Sequence, residues 1–275
     1  MTFKSTKNSH IAQSLAHRWY VIYESEITDK MIENQIDILS PNVKISSPNG
    51  VATNADEFIA SLHRLPKNNR HSHHMKSFSF NEISENEGEL AIDIVYQNEN
   101  ETGDLNAFKI HYDNKISFNG ENWTFNEINI NIVEPVEITS FESAHHYNRV
   151  NSFAHYYLYL MEQLNGNAEP YKELFSTEGF EFVFSPNPPI TSFEGFADWY
   201  MAIPNRIKKS SHRIENIDIK VENDNLYKVS IDMHWDSVTT DDQQMALDTR
   251  QECILEETGD RFPKIKEIKV VPADQ

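Results

Sequence analysis

Residues 47–74 read SPNGVATNADEFIASLHRLPKNNRHSHH, and residues 185–212 read SPNPPITSFEGFADWYMAIPNRIKKSSH. Both stretches open on Ser-Pro-Asn and close on a histidine. Between those ends, Phe58 and Phe196, Pro66 and Pro204, and His74 and His212 all stand 138 residues apart. Ala16-His17 returns as Ala154-His155 at the same offset. Further on, Asp93 matches Asp232, Tyr96 matches Trp235 and Gly120 matches Gly259, now at 139 (232 − 93, 235 − 96, 259 − 120). An offset held across helical, loop and strand positions marks an internal duplication. The copies are read as domains 1–135 and 136–275, joined near Pro135. The one-residue slip falls close to His74 and predicts a β-bulge there in one copy.

Both copies have the same local pattern. Ile11, Leu15, Trp19 and Ile22 recur at helical spacing, as do Phe153, Tyr157, Leu160 and Leu164, so each copy starts with an amphipathic helix. Short extended runs at 43–45 and 180–184 lead into the Ser-Pro-Asn loop, where proline forbids helix to its predecessor. Another helix follows, with Asn54 or Ser192 as N-cap, Phe58 or Phe196 inside, and Pro66 or Pro204 at its end. Period-two alternation then takes over, at Phe78/Phe80, Leu90 to Tyr96 and Ile128 to Ile132 in the first copy. Ile217/Ile219, Val229 to Trp235 and Ile265 to Val271 repeat it in the second. Turns are expected at Glu87-Gly88, Asn119-Gly120, Asn223-Asp224 and Thr258-Gly259. The fold class is therefore α+β, with helices packed on one face of a mainly antiparallel sheet, twice.

Composition removes several functions. The formal charge is −19, with 43 acidic against 24 basic residues spread along the chain, so phosphate backbones and anionic membrane surfaces are repelled. No apolar run reaches membrane-spanning length, residues 1–17 lack a signal-peptide core, and a single cysteine, Cys253, precludes an internal disulfide. A cytoplasmic location is expected. With 8 glycines and no phosphate-binding loop, nucleophile elbow or Cys-x-x-Cys pair, no cofactor is expected.

The chain resembles the nuclear transport factor 2-like superfamily, in its SnoaL-like and ketosteroid-isomerase-like branch. In the first copy the resemblance lies in Ile38-Leu39-Ser40-Pro41-Asn42-Val43, Asp56-Glu57-Phe58, His74 and Asn122-Trp123-Thr124-Phe125. Glu173-Leu174-Phe175-Ser176, Phe193-Glu194-Gly195-Phe196 and His212-Arg213-Ile214-Glu215-Asn216 carry it in the second. It implies two tandem cone-shaped α+β barrels, each around an apolar pocket, and a habit of pairing through the outer sheet face. The two halves could pair with each other that way, and a further homodimer is open. The superfamily spans isomerases, dehydratases, cyclases, epoxide hydrolases and non-catalytic binding modules, so fold alone does not choose among them. The Asp dyad or Tyr-Asp pair used by its isomerases is not evident here.

His74 and His212 are the leading candidates for a general base or acid, with Tyr23 as a hydrogen-bond donor. The competing reading is a histidine that packs at a strand entry and bonds backbone. Trp19, Tyr96, Tyr157, Trp199 and Trp235 would line a pocket, or simply fill the core. Asp232 and Arg250, with Asp248, offer a carboxylate–guanidinium set of the kind the epoxide-hydrolase branch uses. Alternation with Ile231 and Met233 instead points Asp232, like Asp93, away from the core as part of a surface ion pair. His17 and His155 lie about 200° from the helix seam and are expected at solvent or an interface. The run His71-Ser72-His73-His74 suggests metal, but the second copy has Lys209-Ser210-Ser211-His212, and a solvated loop is preferred. These residues predict cofactor-free acid–base chemistry, such as isomerisation, dehydration or cyclisation, on a small hydrophobic carbonyl or alcohol. The alternative is a non-catalytic binding or interaction module.

Overall fold

The computed structural model describes residues 5–184, 187–223 and 225–272. Ser185 and Pro186 of the repeated loop, and Asp224 of one expected turn, lie outside them. Two compact units emerge, one of Ala12–Arg149 and the other of Met1–Ile11 with Val150–Gln275. Their limits therefore fall at 11/12 and 149/150 rather than at the repeat junction near Pro135, and both limits lie inside helices.

In the unit of residues 12–149, most of α1 (Lys7–Glu24) is followed by α2 (Asp29–Gln35), β1 (Leu39–Ser47), β2 (Gly50–Ala52) and α3 (Ala55–Leu62). Asn54 caps α3 by accepting the Glu57 amide at 2.8 Å, and Glu57 reaches back to the Thr53 amide at 2.7 Å. The N-terminal donors of the helix are thus satisfied by side chains chosen for that task. Four long strands complete the unit: β3 (Arg70–Ser84), β4 (Glu87–Glu99), β5 (Leu105–Phe118) and β6 (Trp123–Pro135). They form a six-stranded sheet ordered β2-β1-β6-β5-β4-β3, antiparallel except where β1 runs parallel to β6. Leu90, Ile92, Ile94, Tyr112, Ile116, Phe125 and Ile128 are buried, as are Leu15, Trp19, Ile22, Phe58 and Leu62 from the helices.

The other unit repeats the plan with α4 (His145–Met161), β7 (Glu181–Phe184), α5 (Phe193–Ala202), β8 (Ile207–Asn223), β9 (Leu226–Thr239), β10 (Gln244–Glu256) and β11 (Lys264–Pro272). Its sheet runs β7-β11-β10-β9-β8, with β7 parallel to β11. Ser192 caps α5 as expected. Its interior is aromatic: Phe153, Tyr157, Tyr171, Phe175, Phe182, Phe196, Tyr200 and Phe262 belong to one buried cluster.

Several expectations need correction. The β3–β4 turn falls at Glu85-Asn86, and Gly88 sits within β4 opposite Glu82 because Phe80 occupies the space a side chain there would fill. Strand β5 was not anticipated, and β10 only through Asp248 and Arg250, expected on a strand beside that of Asp232. Leu164 lies beyond α4 in a left-handed turn (φ 48°). Matching bulges occur in both copies, at Lys76 and at Glu215, 139 apart, and among the described residues one at Lys208 has no counterpart in the first copy, as the one-residue slip predicts. Finally, of the two places open to them, His17 and His155 take the covered one: both are buried, against Asn148 and His10 of the other copy. Among the described residues no helix is long and apolar enough to cross a membrane.

Candidate functional site

Strand alternation decides which histidine of the 71–74 run can meet a helix. His73 is buried, whereas His74 points to the other face, where its Nε2 lies 2.9 Å from the Glu142 carbonyl and 3.0 Å from Ser72 Oγ. The same alternation separates His74 from His71 and His73, so the run does not converge on one point. Of the sequence-predicted bases in the first copy, His74 thus has the bland role of bonding backbone. His73, which spacing had passed over, has the chemically interesting one.

Glu24, the last residue of α1, places Oε1 2.6 Å from the His73 amide and 3.2 Å from its Nδ1. The carboxylate is fully buried. A carboxylate at Nδ1 fixes the tautomer, so Nδ1–H donates and Nε2 carries the lone pair. Asn148 closes the arrangement by donating Nδ2 to both Glu24 oxygens, at 3.1 and 3.0 Å, and to the His73 carbonyl at 3.1 Å. Asn148 Oδ1 in turn lies 2.8 Å from His17 Nδ1. Burial lowers the His17 pKa to about 4, so its ring is neutral at ordinary pH.

Aromatic rings surround the His73 imidazole. Tyr20 stacks on it at 5.1 Å and 9°, while Tyr96 and Tyr23 lie at 5.2 and 5.6 Å. Tyr112 meets Tyr20 edge-on, and Trp19 packs between Tyr23 and Phe58. Burial raises the pKa of Tyr20 and Tyr23 well above the usual phenol value, and that of Tyr96 to about 12. All three therefore keep the proton they could donate. The Tyr20 hydroxyl is buried with no hydrogen-bond partner among the described residues. Tyr96 OH lies 2.8 Å from His71 Nδ1, whose pKa burial lowers to about 4. Tyr23, Tyr96 and His71 are half-buried, and Tyr20, Tyr112 and Trp19 are buried.

The other unit holds the matching pair. His212 offers its amide to Glu162 Oε1 at 2.5 Å and its Nδ1 at 3.2 Å. The matched residues are thus Glu24 with Glu162 (offset 138) and His73 with His212 (offset 139). Around His212 the phenols are gone. The positions of Tyr20, Tyr23 and Tyr112 hold Leu158, Met161 and Gln251, and Trp235 takes the place of Tyr96, stacked on His212 at 6.3 Å. Tyr157 is inside the aromatic cluster and Trp199 packs against Phe182, Phe184 and Phe196, so both serve the core of this unit.

Asp232 and Arg250 form a two-pronged ion pair, with Nε–Oδ1 at 2.6 Å and Nη2–Oδ2 at 3.1 Å, on the partly exposed sheet face. Asp248 bonds His234 instead, at 2.5 Å, so the three residues do not make one water-activating set. Asp93 similarly bonds Ser77 and His111 at the surface. A groove of about 450 Å³ opens between Lys44, Ile83, Glu89, Lys115, Asn126 and Glu127, apart from every predicted site residue.

The sequence matches no family model, and no curated protein matches it. Solved structures do match its fold, about half the chain at a time. A nuclear transport factor 2-like superfamily protein from Salmonella enterica is 17% identical over 43% of this chain and 84% of its own, with a TM-score of 0.39. A provisionally assigned scytalone dehydratase from Novosphingobium aromaticivorans is 17% identical over 47% and 85% (TM-score 0.43). A hexachlorocyclohexane dehydrochlorinase from Novosphingobium barchaimii is 9% identical over 49% and 92% (TM-score 0.43). Each of these three structures covers less than half of this chain and more than four fifths of its own.

Proposed function

We propose that the unit of residues 12–149 is a cofactor-free acid–base site for a small hydrophobic carbonyl or alcohol compound. His73 is its base, Glu24 the carboxylate that orients it, and a buried phenol, Tyr20 or Tyr23, the hydrogen-bond donor. The observation that carries this reading is the buried Glu24–His73 pair beneath a stacked tyrosine whose hydroxyl has no partner among the described residues. Such a set can remove a proton next to a carbonyl through His73 Nε2 while the phenol stabilises charge growing on the carbonyl oxygen. Returning the proton elsewhere gives isomerisation; giving it to a departing hydroxyl gives dehydration. In the second unit the pair persists with Leu158, Met161, Gln251 and Trp235 at the positions of the four phenols, which favours a structural role for that half.

The test is catalysis by the whole protein of proton exchange next to the carbonyl, or of water loss, across a panel of hydrophobic ketones and β-hydroxyketones followed by NMR. Loss of about 100-fold or more is expected in His73→Ala, with His74→Ala and His212→Ala close to wild type. Activity surviving in His73→Ala, or vanishing in His212→Ala alone, would overturn the assignment.

A further inference from the structure

Glu24 and Glu162 differ in one respect that the rest of the repeat does not explain. Both oxygens of Glu24 accept hydrogen bonds, whereas Glu162 Oε2 is buried with no partner among the described residues. The residues contributed by the following and preceding helix termini account for the difference. Asn148 serves the first pair and His10 serves the second, and the two positions correspond (148 − 10 = 138).

A primary amide presents two N–H groups from one nitrogen, so Asn148 reaches Glu24 and the His73 carbonyl together. Flipping the amide would set Oδ1 against a carboxylate, so the network itself fixes its orientation. An imidazole presents one N–H per nitrogen. His10 Nε2 gives its proton to the His212 carbonyl at 2.8 Å and stands 3.6 Å from Glu162 Oε1, outside hydrogen-bond range. Thr6 covers that oxygen at 2.7 Å, and none of the described residues reaches Oε2. Behind the bridging residue, His17 Nδ1 backs Asn148 Oδ1, and His155 Nδ1 backs His10 Nδ1 at 2.9 Å.

We propose that Asn148 is a positioning residue. Held by His17, its amide locks the Glu24 carboxylate so that His73 keeps its proton on Nδ1 and its lone pair on Nε2. This rests on the reading of His73 as base, but it predicts a state of the ring that exists without any substrate. His17 must itself be the Nδ1–H tautomer, since the amide oxygen can only accept.

The experiment is ¹⁵N NMR of the histidine rings in the full chain at pH 7, with His73 and His17 assigned through His73→Asn and His17→Gln. In the wild type both rings are expected as Nδ1–H tautomers. Asn148→Ala is expected to give His73 a mixture of tautomers while the backbone amide spectrum stays folded. Asn148→Gln, which keeps the amide, should restore most of the Nδ1–H population. If Asn148→Ala fails to fold, the wild-type rings still decide: an Nε2–H tautomer at His17 or His73 overturns the proposal. So does an unchanged His73 tautomer in folded Asn148→Ala. Failure to find a substrate would count against the enzyme reading and leave these tautomer outcomes to stand or fall alone.

Discussion

At position 17 burial keeps an imidazole neutral, with a folded-state pKa of about 4 against an ordinary value of 6.5. The unfolded chain therefore binds a proton between those values that the folded chain refuses. Above pH 6.5 both states are neutral at this site and it contributes no pH dependence. Stability is lost as pH falls from 6.5 towards 4, by up to on the order of 3 kcal/mol. His17→Gln is expected to flatten this part of the stability–pH curve measured by urea denaturation. Tyr20 poses the opposite problem, a buried hydroxyl with no partner among the described residues. Tyr20→Phe is expected to be neutral or to stabilise by about 1 kcal/mol in the same measurement, while lowering exchange activity. Which histidine meets the carboxylate was not legible from spacing. Counting from Pro66 and Pro204 pairs His74 with His212, yet the strand partners Tyr96 and Trp235 pair His73 with His212. The extra residue of the second copy lies between Pro204 and His212, where nothing in the sequence marks it. His17 was half legible for a related reason: a helix seam puts it on the opposite face, at solvent or an interface, without saying which, and Asn148 covers it.

Among elements, the caps and the central alternation were readable because each depends on a few neighbouring residues. Asn54→Ala is expected to cost about 1 kcal/mol in thermal or chemical denaturation, since it strips the Glu57 amide of its acceptor. Asn119-Gly120 closes β5 to β6 as expected, with Gly120 at φ 100°, a conformation that suits glycine. Gly88 carries a turn signal in sequence but stands inside β4, where the missing side chain admits the ring of Phe80. Strand β5 escaped notice because buried Asn114 interrupts its apolar face, and most of β10 because Met245 and Leu247 are exposed while Gln251 is buried. In both strands the polar residue faces inward, which inverts the pattern that periodicity detects.

For the molecule as a whole, the repeat and the compact unit are different things. Repetition in the sequence locates copies 138 residues apart, but only contacts show that residues 136–149 complete the unit of 12–149. Ala144 donates its amide to Ser72 Oγ at 2.8 Å, Glu142 donates to Gln97, and Asn148 holds Glu24. A 1–135 fragment lacks all three. It is expected to show no cooperative thermal transition by far-UV circular dichroism, and to regain one on mixing with 136–275. A fragment that melts cooperatively by itself would contradict this division.

The placement of Asn148 and His10 has a consequence for descent. An ancestral single-copy gene had to finish its own carboxylate–histidine pair, yet here each pair is finished by residues lying beyond its own repeat. Deleting either copy would now strand the survivor, so the duplication can no longer be undone one half at a time.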